Sequence, residues 1–205
     1  MVALLGKKLG MTQVFEESGR AIPVSVIQAG PCPVVQVKTP EKDGYAAVQI
    51  GFDPVKKQRV TKPALGRFKA AKVDPQRILR EIRVDAPEEY TVGQSIDVTV
   101  FEGAPRVHVS GVVKGRGFAG VTKKHNFKGG KETHGCKSHR VPGAVGNCAT
   151  PSRIFKGKKL AGRMGGNNMT VRNLQVVQID VENNLLFVRG AVPGANNGFV
   201  FIRKA

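Results

Sequence analysis

The sequence has few acidic residues, few cysteines and no long apolar run. Between Lys114 and Gly165 the only acid is Glu132, and the whole chain has three cysteines. A small, odd number of cysteines argues against a disulfide framework and favours a reducing compartment. No run approaches the roughly 18 apolar residues of a membrane-spanning helix. The opening MVALLGKKLGMTQVF also has no apolar run of signal-peptide length. These absences predict a cytoplasmic protein that does not engage a membrane.

Basic residues are abundant and concentrated in the middle of the chain. The 205 residues include 33 Lys or Arg and 15 Asp or Glu, which gives a net charge of +18. Residues 1–113 contribute +4 (16 basic, 12 acidic), residues 114–165 contribute +12 (13 basic, one acidic) and residues 166–205 contribute +2 (four basic, two acidic). Because the excess is local, it predicts a polyanionic partner for the central segment.

The central segment also lacks the residues of a hydrophobic core. Residues 114–165 contain 11 of the 25 glycines and three of the four histidines, and their few large apolar residues follow neither a strand nor a helix period. Such a segment cannot bury enough apolar surface to offset its conformational entropy. Closely spaced phosphates would order it by cancelling the repulsion between its cations and releasing counterions.

The rest of the sequence is typical of a β protein. Short β-branched, partly alternating runs predict strands at 21–28, 33–39, 45–51, 96–101, 106–113, 174–181, 185–189 and 199–202. The first three read as an antiparallel meander. Pro63 and the spacing of Leu65 and Phe68 predict a helix over 63–71, with Thr61 as its cap. Asp74-Pro75 permits a second helix, although alternation over 78–84 favours a strand there.

These elements predict a mainly β fold with one or two short helices. The simplest architecture is a single β-barrel body made from both ends of the chain, residues 1–113 and 166–205. Residues 114–165 would be a long, largely irregular basic extension inserted between two strands.

Eighteen residues of this extension are candidate RNA contacts. Lys and Arg would hold phosphates, while His and Phe would stack on or hydrogen-bond to exposed bases. The candidates are Lys114, Arg116, Lys123, Lys124, His125, Phe127, Lys128, Lys131, His134, Lys137, His139, Arg140, Arg153, Phe155, Lys156, Lys158, Lys159 and Arg163.

Other chemistries have weaker signals in the same segment. Residues 115–120 match Gly-x-Gly-x-x-Gly, but a poor helix former follows and Gly135 stands near the place where a ribose-binding acid is needed. His134, Cys136, His139 and Cys148 hold zinc-ligand atoms at a spacing that is not a regular finger pattern. A Cys-His nucleophile would need an orienting group and a pocket. We therefore expect no cofactor, no metal and no small-molecule substrate. The remaining alternatives are a metal- or Cys/His-dependent enzyme acting on RNA and a general basic chaperone that binds any RNA.

Several motifs resemble one family in order and in sequence. They are GKKLGMTQ (residues 6–13), AGPCP (29–33), GRGFAGV (115–121), HNFKGG (125–130), HRVPG (139–143), FKGKKLAG (155–162) and VRGAVPG (188–194). Together they cover nearly the whole chain and resemble the bacterial members of the large-subunit ribosomal protein three family.

The resemblance implies a function that spacing alone does not supply. In that family a β-barrel body sits on large-subunit rRNA, and a central extension runs through rRNA towards the peptidyl transferase centre. The protein binds early in subunit assembly, touches neighbouring large-subunit proteins and catalyses nothing. Here the inner part of the extension would be 139–151. Ala149 stands where some members carry a methylated glutamine, so we expect that modification to be absent.

Overall fold

The computed structural model describes residues 3–205. In chain order its strands are β1 (Ala3–Phe15), β2 (Ala21–Ala29), β3 (Cys32–Lys38), β4 (Ala47–Pro54), β5 (Gln76–Arg83), β6 (Ser95–Ile96), β7 (Arg106–Val112), β8 (Phe118–Ala119), β9 (Gly162–Arg163), β10 (Asn168–Asp180), β11 (Leu185–Arg189) and β12 (Phe199–Lys204). The α-helices are α1 (Pro40–Asp43), α2 (Lys62–Ala70) and α3 (Val121–His125), and 3₁₀ turns cover Lys57–Arg59, Pro87–Glu89 and Val98–Phe101. The predicted mainly β fold with a barrel and short helices is confirmed. Within residues 3–205, no helix is long and apolar enough to cross a membrane.

The chain divides into two compact units. One contains the residues up to Val113 together with Asn168–Ala205, and the other contains Lys114–Asn167. The first unit holds the barrel, whose six strands close in the order β1-β12-β7-β10-β11-β2. Val112 at the end of β7 lies opposite Asn168 at the start of β10. The chain therefore leaves and re-enters the barrel at paired positions of neighbouring strands, so the length of the intervening segment does not affect the register.

Alternation along the strands fills the barrel. Val107 and Val109 of β7 are fully buried, whereas His108 between them is half-buried. Removing a large aliphatic side chain from water contributes about 1.5–3 kcal/mol. The largest aliphatic side chains fully buried in the barrel strands are Leu4, Ile27, Leu186 and Ile202.

Strand β1 was not predicted from the sequence. Gly6, Gly10 and the Lys7-Lys8 pair interrupt its apolar pattern, yet Lys8 is buried and its Nζ donates to the carbonyl of Val192 at 2.9 Å. Gly6 is required because a Cβ there would lie 2.6 Å from the carbonyl oxygen of Gln28. Glycine normally indicates a turn and lysine a solvent-exposed face, but here Gly6 and Lys8 both contribute to packing of the barrel.

The same unit contains a second antiparallel sheet, with the strand order β5-β4-β3-β6. Its presence means that two predictions, the three-strand meander and the body made of a single barrel, need correction. Strand β2 pairs with β1 and β11 in the barrel, whereas β3 pairs with β4 and β6. Between β2 and β3, Gly30 has a φ of +84° and turns the chain from one sheet into the other. The two sheets share one hydrophobic core, in which Phe52 of β4 meets Phe199 of β12 edge to face at 6.2 Å.

The strand predicted over 96–101 is also wrong. Only Ser95–Ile96 is extended, and Val98–Phe101 forms a 3₁₀ turn. Val98 and Phe101 are both fully buried. Residues three apart lie on the same side of a 3₁₀ helix but on opposite faces of a strand, so burying both favours the turn.

The two remaining local predictions have separate outcomes. The strand favoured over 78–84 is confirmed as β5, and the helix over 63–71 is confirmed as α2. Thr61 occupies the N-cap position, as predicted, although its side chain forms no cap hydrogen bond.

A polar cluster lies on the second sheet. The Nζ of Lys38 is 2.7 Å from a carboxylate oxygen of Glu81, and the hydroxyl of Tyr45 donates to the other at 2.8 Å. Hydrogen bonding by Lys38 first, and then by Tyr45, lowers the pKa of Glu81 below its ordinary value. The hydrogen bonds that Lys38 donates, to Glu81 first and then to the Tyr45 hydroxyl at 2.8 Å, raise the pKa of Lys38. Arg83 covers the Tyr45 ring at 3.9 Å.

Replacing Glu81 with Gln is expected to lower stability more at about pH 7 than at about pH 3. A carboxylate with a lowered folded-state pKa stabilises the fold above its unfolded-state pKa and loses that effect as the pH falls through the folded-state value. The effect should be modest because 35% of the Glu81 side chain is exposed. Thermal unfolding at both pH values tests this, with exposed Glu17→Gln as the control. An equal difference in melting temperature at both pH values would contradict it.

Candidate nucleic-acid interface

The base of the second unit is a short two-stranded ribbon. Phe118 of β8 pairs with Arg163 of β9. Two backbone hydrogen bonds extend the ribbon, from Arg116 N–H to the Met164 carbonyl at 2.8 Å and from Met164 N–H to the Gly117 carbonyl at 2.9 Å. Pairing the two ends of the unit in this way fixes where the basic segment begins and ends.

Helix α3 follows the ribbon and is held by apolar and polar contacts. Val121 at its start is buried. At its end, the Nε2 of His125 lies 3.1 Å from the Leu160 carbonyl oxygen, and the His125 ring is 6.2 Å from the ring of Phe127. His125, a candidate base contact, therefore already has an internal partner.

Two adjacent glycines let two backbone segments pass close together. Gly130 N–H donates to the His139 carbonyl at 3.1 Å. A Cβ on Gly129 would collide with that same carbonyl, and one on Gly130 would collide with the carbonyl of Ser138. The Nδ1 of His139 lies 3.0 Å from the Lys131 carbonyl oxygen. Backbone contact thus orders a segment that has no hydrophobic cluster of its own.

Most of the eighteen predicted contacts face solvent. Lys124, His125 and Phe127 are half-buried. The other fifteen are exposed: Lys114, Arg116, Lys123, Lys128, Lys131, His134, Lys137, His139, Arg140, Arg153, Phe155, Lys156, Lys158, Lys159 and Arg163. None of the cations forms a salt bridge within residues 3–205. The positive charge of this unit is therefore open to an external anion.

One exposed aromatic residue was missed among the predicted contacts. Phe118 lies near Arg116 on the two-stranded ribbon at the base of the second unit. Its side chain is 81% exposed, compared with 52% for Phe155. It meets the same criterion that selected Phe127 and Phe155, an aromatic residue set among cations and glycines. Phe118 should be counted with the candidate stacking groups.

The structure does not assemble the alternative sites. Among residues 3–205, no group of three or more His, Cys, Asp or Glu side chains is arranged to hold a metal ion. Cys148 is exposed, Cys136 is half-buried, and both are free thiols. The Gly-x-Gly-x-x-Gly run opens only the five-residue α3, which is far shorter than the helix of a dinucleotide-binding unit.

Comparisons with known proteins agree on one family. The family described as ribosomal protein L3 matches residues 82–183. Large ribosomal subunit protein uL3 of Acidothermus cellulolyticus is 56% identical over 203 residues, covering 98% of this chain and 91% of the relative. The chain belongs to the ribosomal protein L3 family. The proteins of the same name from Petrotoga mobilis (52% identical, 100% of this chain and 96% of the relative) and Streptomyces coelicolor (52%, 98% and 95%) agree with this membership.

Membership of the ribosomal protein L3 family confirms several predictions at once. The family that the motifs resemble is the one found, and it extends over nearly the whole chain. The ribosomal role and the cytoplasmic location predicted from the sequence follow from this membership.

Proposed function

We propose that this member of the L3 family is a structural component of the large ribosomal subunit that binds large-subunit rRNA through residues 114–165. Its family membership supports the structural role. One observation carries the assignment of RNA as the ligand. Residues 114–165 contain thirteen Lys or Arg and one acid, and every one of these cations is exposed except Lys124, which is half-buried. The segment contains no hydrophobic cluster of its own. The eighteen candidate residues named above would make the contacts.

The contacts follow from the chemistry of RNA. Lys and Arg neutralise phosphates and release counterions, which supplies affinity without reading sequence. Because side chains cannot read the deep, narrow major groove of an A-form helix, selectivity comes from shape, 2′-hydroxyls and unstacked bases. Exposed Phe118 and Phe155 offer faces on which such bases stack.

The resemblance to the family suggests finer roles, which we include in the proposal. Residues 1–113 and 166–205 form the body, and 114–165 extend through rRNA towards the peptidyl transferase centre. Every residue from Lys137 to Thr150 is exposed, which supports this, because a segment so open to solvent suits envelopment by RNA. Binding would come early in subunit assembly, beside neighbouring large-subunit proteins. The chain itself would catalyse nothing, and peptide-bond chemistry would belong to the RNA.

The salt dependence of binding tests the central step. If the full chain neutralises about six phosphates, log K against log salt should have a slope of about −4 to −5. The triple variant Lys156→Ala, Lys158→Ala, Lys159→Ala is expected to weaken binding at low salt and make the slope less negative by about 2 to 3, because three exposed cations are lost.

The matched control removes three exposed cations elsewhere, by Arg20→Ala, Lys42→Ala and Arg106→Ala. A slope near zero for the full chain would refute the proposal. Equal binding to unrelated RNA would instead indicate a general basic chaperone. Loss of RNA binding in Cys136→Ala or Cys148→Ala would revive a cysteine-dependent RNA enzyme.

A further inference from the structure

A strand of eight residues at the edge of the second sheet has no neighbour on one side. Within residues 3–205, β5 pairs with β4 and with no other strand. The opposite edge of this sheet is β6, which has only two residues, and every barrel strand has a neighbour on both sides. A strand that is paired on one side leaves every second N–H and C=O group of its backbone without a strand partner. We name this unpaired side of residues 76–83 the free edge.

The free edge is basic. Strand β5 contains three arginines, Arg77, Arg80 and Arg83, and one acid, Glu81, which is held in the polar cluster described above. Arg80 is exposed and forms no salt bridge within residues 3–205. Across two antiparallel strands, opposite charges attract and like charges repel. A second copy of β5 would therefore be a poor neighbour for the free edge, and an acidic strand would be a good one.

A cavity of about 520 Å³ adjoins β5. Among residues 3–205, the only strand that lines it is β5, and the rest of its wall comes from residues 55–68. The cavity therefore lies at the β5 side of the sheet and not over its middle. Its volume is within the range of about 300 to 1,000 Å³ that is typical of binding pockets, so it has room for a large side chain. Its apolar lining residues are Val55, Val60, Ala64, Phe68 and Leu79.

The wall of the cavity is anchored in a small core. Phe68 of α2 is buried together with Ala71 and with Val35 of β3. Ala64 and Leu79, which line the cavity, pack against this cluster. Because α2 is fixed to the second sheet in this way, a segment bound along the free edge would meet a cavity that is already formed.

We propose that the free edge binds an extended acidic segment of another protein by strand addition, and that the cavity receives one large apolar side chain of that segment. Backbone hydrogen bonds supply affinity in this mode of recognition, while side-chain pockets supply selectivity. A peptide backbone repeats its N–H and C=O groups at the spacing of the free edge, whereas RNA has no such ladder of groups. The proposal does not depend on the role of residues 114–165.

The first test uses a synthetic peptide as long as β5 that alternates valine with glutamate and carries one phenylalanine. Two further peptides carry methyl groups on backbone nitrogens, one at the odd and the other at the even positions, so their charges are the same. Successive N–H groups of a strand point to opposite sides, and only one of these peptides keeps the N–H groups that face β5. Fluorescence anisotropy with the full chain measures the affinity of each peptide.

One methylated peptide should bind like the unmodified peptide, and the other at least about 10-fold more weakly, because it loses several backbone hydrogen bonds. Equal binding of the two methylated peptides would show attraction by charge alone and would overturn strand addition.

Arg80→Glu tests the place and the sign of the charge. This variant should bind the unmodified peptide about 10-fold more weakly, because glutamates would then face each other across the strands. Arg20→Glu is the matched control, since it reverses an exposed arginine outside the second sheet. Both variants should unfold close to the wild-type temperature, as is usual for exposed positions. Equal loss of peptide affinity in the two variants would contradict binding at the free edge.

A change within the cavity tests the apolar side chain. The full chain should bind the phenylalanine peptide about 10-fold more tightly than the same peptide with alanine at that position. Ala64→Leu, which partly fills the cavity, should remove most of this preference, whereas Ala70→Leu on the exposed side of α2 should retain it. No preference for phenylalanine in the wild-type chain would overturn the assignment of the cavity.

Cross-linking locates the bound peptide. With benzoylphenylalanine in place of phenylalanine, irradiation should yield adducts on residues 55–79 of the full chain. Adducts confined to residues 114–165 would mean that the acidic peptide only follows the positive charge of the extension, and would overturn the proposal.

Two other occupants of the free edge give different results. Sedimentation of the full chain should show a monomer, and a dimer that excess peptide dissociates would assign the free edge to a second copy of this chain. Arg80→Glu should bind large-subunit rRNA as Arg20→Glu does, and a selective loss of rRNA affinity in Arg80→Glu would assign the free edge to RNA. Either of these results would overturn the proposal.

Discussion

Replacing Gly115–Arg163 with a short flexible linker is expected to leave the body folded and to reduce affinity for large-subunit rRNA by about three orders of magnitude at low salt. The body should fold because Val112 and Asn168 are opposite each other on paired strands, so a linker need span only a short distance. Affinity should fall because the replaced residues hold twelve of the chain's 33 cations and only one acid. Binding isotherms at several salt concentrations, with thermal unfolding of the same variant, measure both effects.

The control is the full chain with the same linker inserted between Gly143 and Ala144, both exposed, which lengthens the segment without removing a cation. It should retain most of the salt slope. If the deleted variant binds almost as tightly as the full chain with a similar slope, the body carries recognition and the extension acts only after docking. If the deleted variant is unfolded, the division into body and extension is wrong.

Phe101→Ala is expected to destabilise the body by about 3–5 kcal/mol, the range for removing a large buried aromatic side chain. Phe101 is fully buried in the core shared by the barrel and the second sheet, so truncation leaves a cavity that the closed sheet cannot easily fill. Chemical denaturation gives the change in unfolding free energy.

Phe15→Ala is the matched control, because the same side chain is removed from a residue that is 64% exposed. Its cost should stay within about 0.5 kcal/mol. Similar costs for the two variants would mean that the 3₁₀ turn carrying Phe101 is not a fixed part of the core. Such a result would also revive the strand reading of residues 96–101.

Local pattern predicts this fold well where one face of a strand is buried and the other is not. Val107 and Val109 on either side of His108 gave the correct strand, and the predicted runs 174–181 and 185–189 are the neighbouring antiparallel strands β10 and β11. Pattern failed where pairing is non-local, because alternation does not say which strand will be the neighbour. Strand β2 pairs with β11, about 160 residues further along the chain, while β3, two residues away, joins another sheet.

The candidate site, like the fold, could be predicted only in part from the sequence. Charge identified the segment because exposure of Lys and Arg follows from their cost of burial, and nearly all of them do face solvent. Internal partners could not be predicted. The ring contacts of His125 with Leu160 and of His139 with Lys131 depend on how the segment turns back on itself. The spacing of apolar and polar residues along the sequence does not predict how the segment turns.

Closure of the barrel has a consequence for the order of events during synthesis. Strand β12 is the latest strand in the chain and pairs with both β1 and β7. Until it leaves the exit tunnel, those two strands keep open edges, which are sites for proteolysis and aggregation. The cation-rich extension has already been translated by then. A chain interrupted before Phe199 therefore carries the cations of residues 114–165 but cannot close its barrel. The barrel is therefore completed only after β12 has been translated.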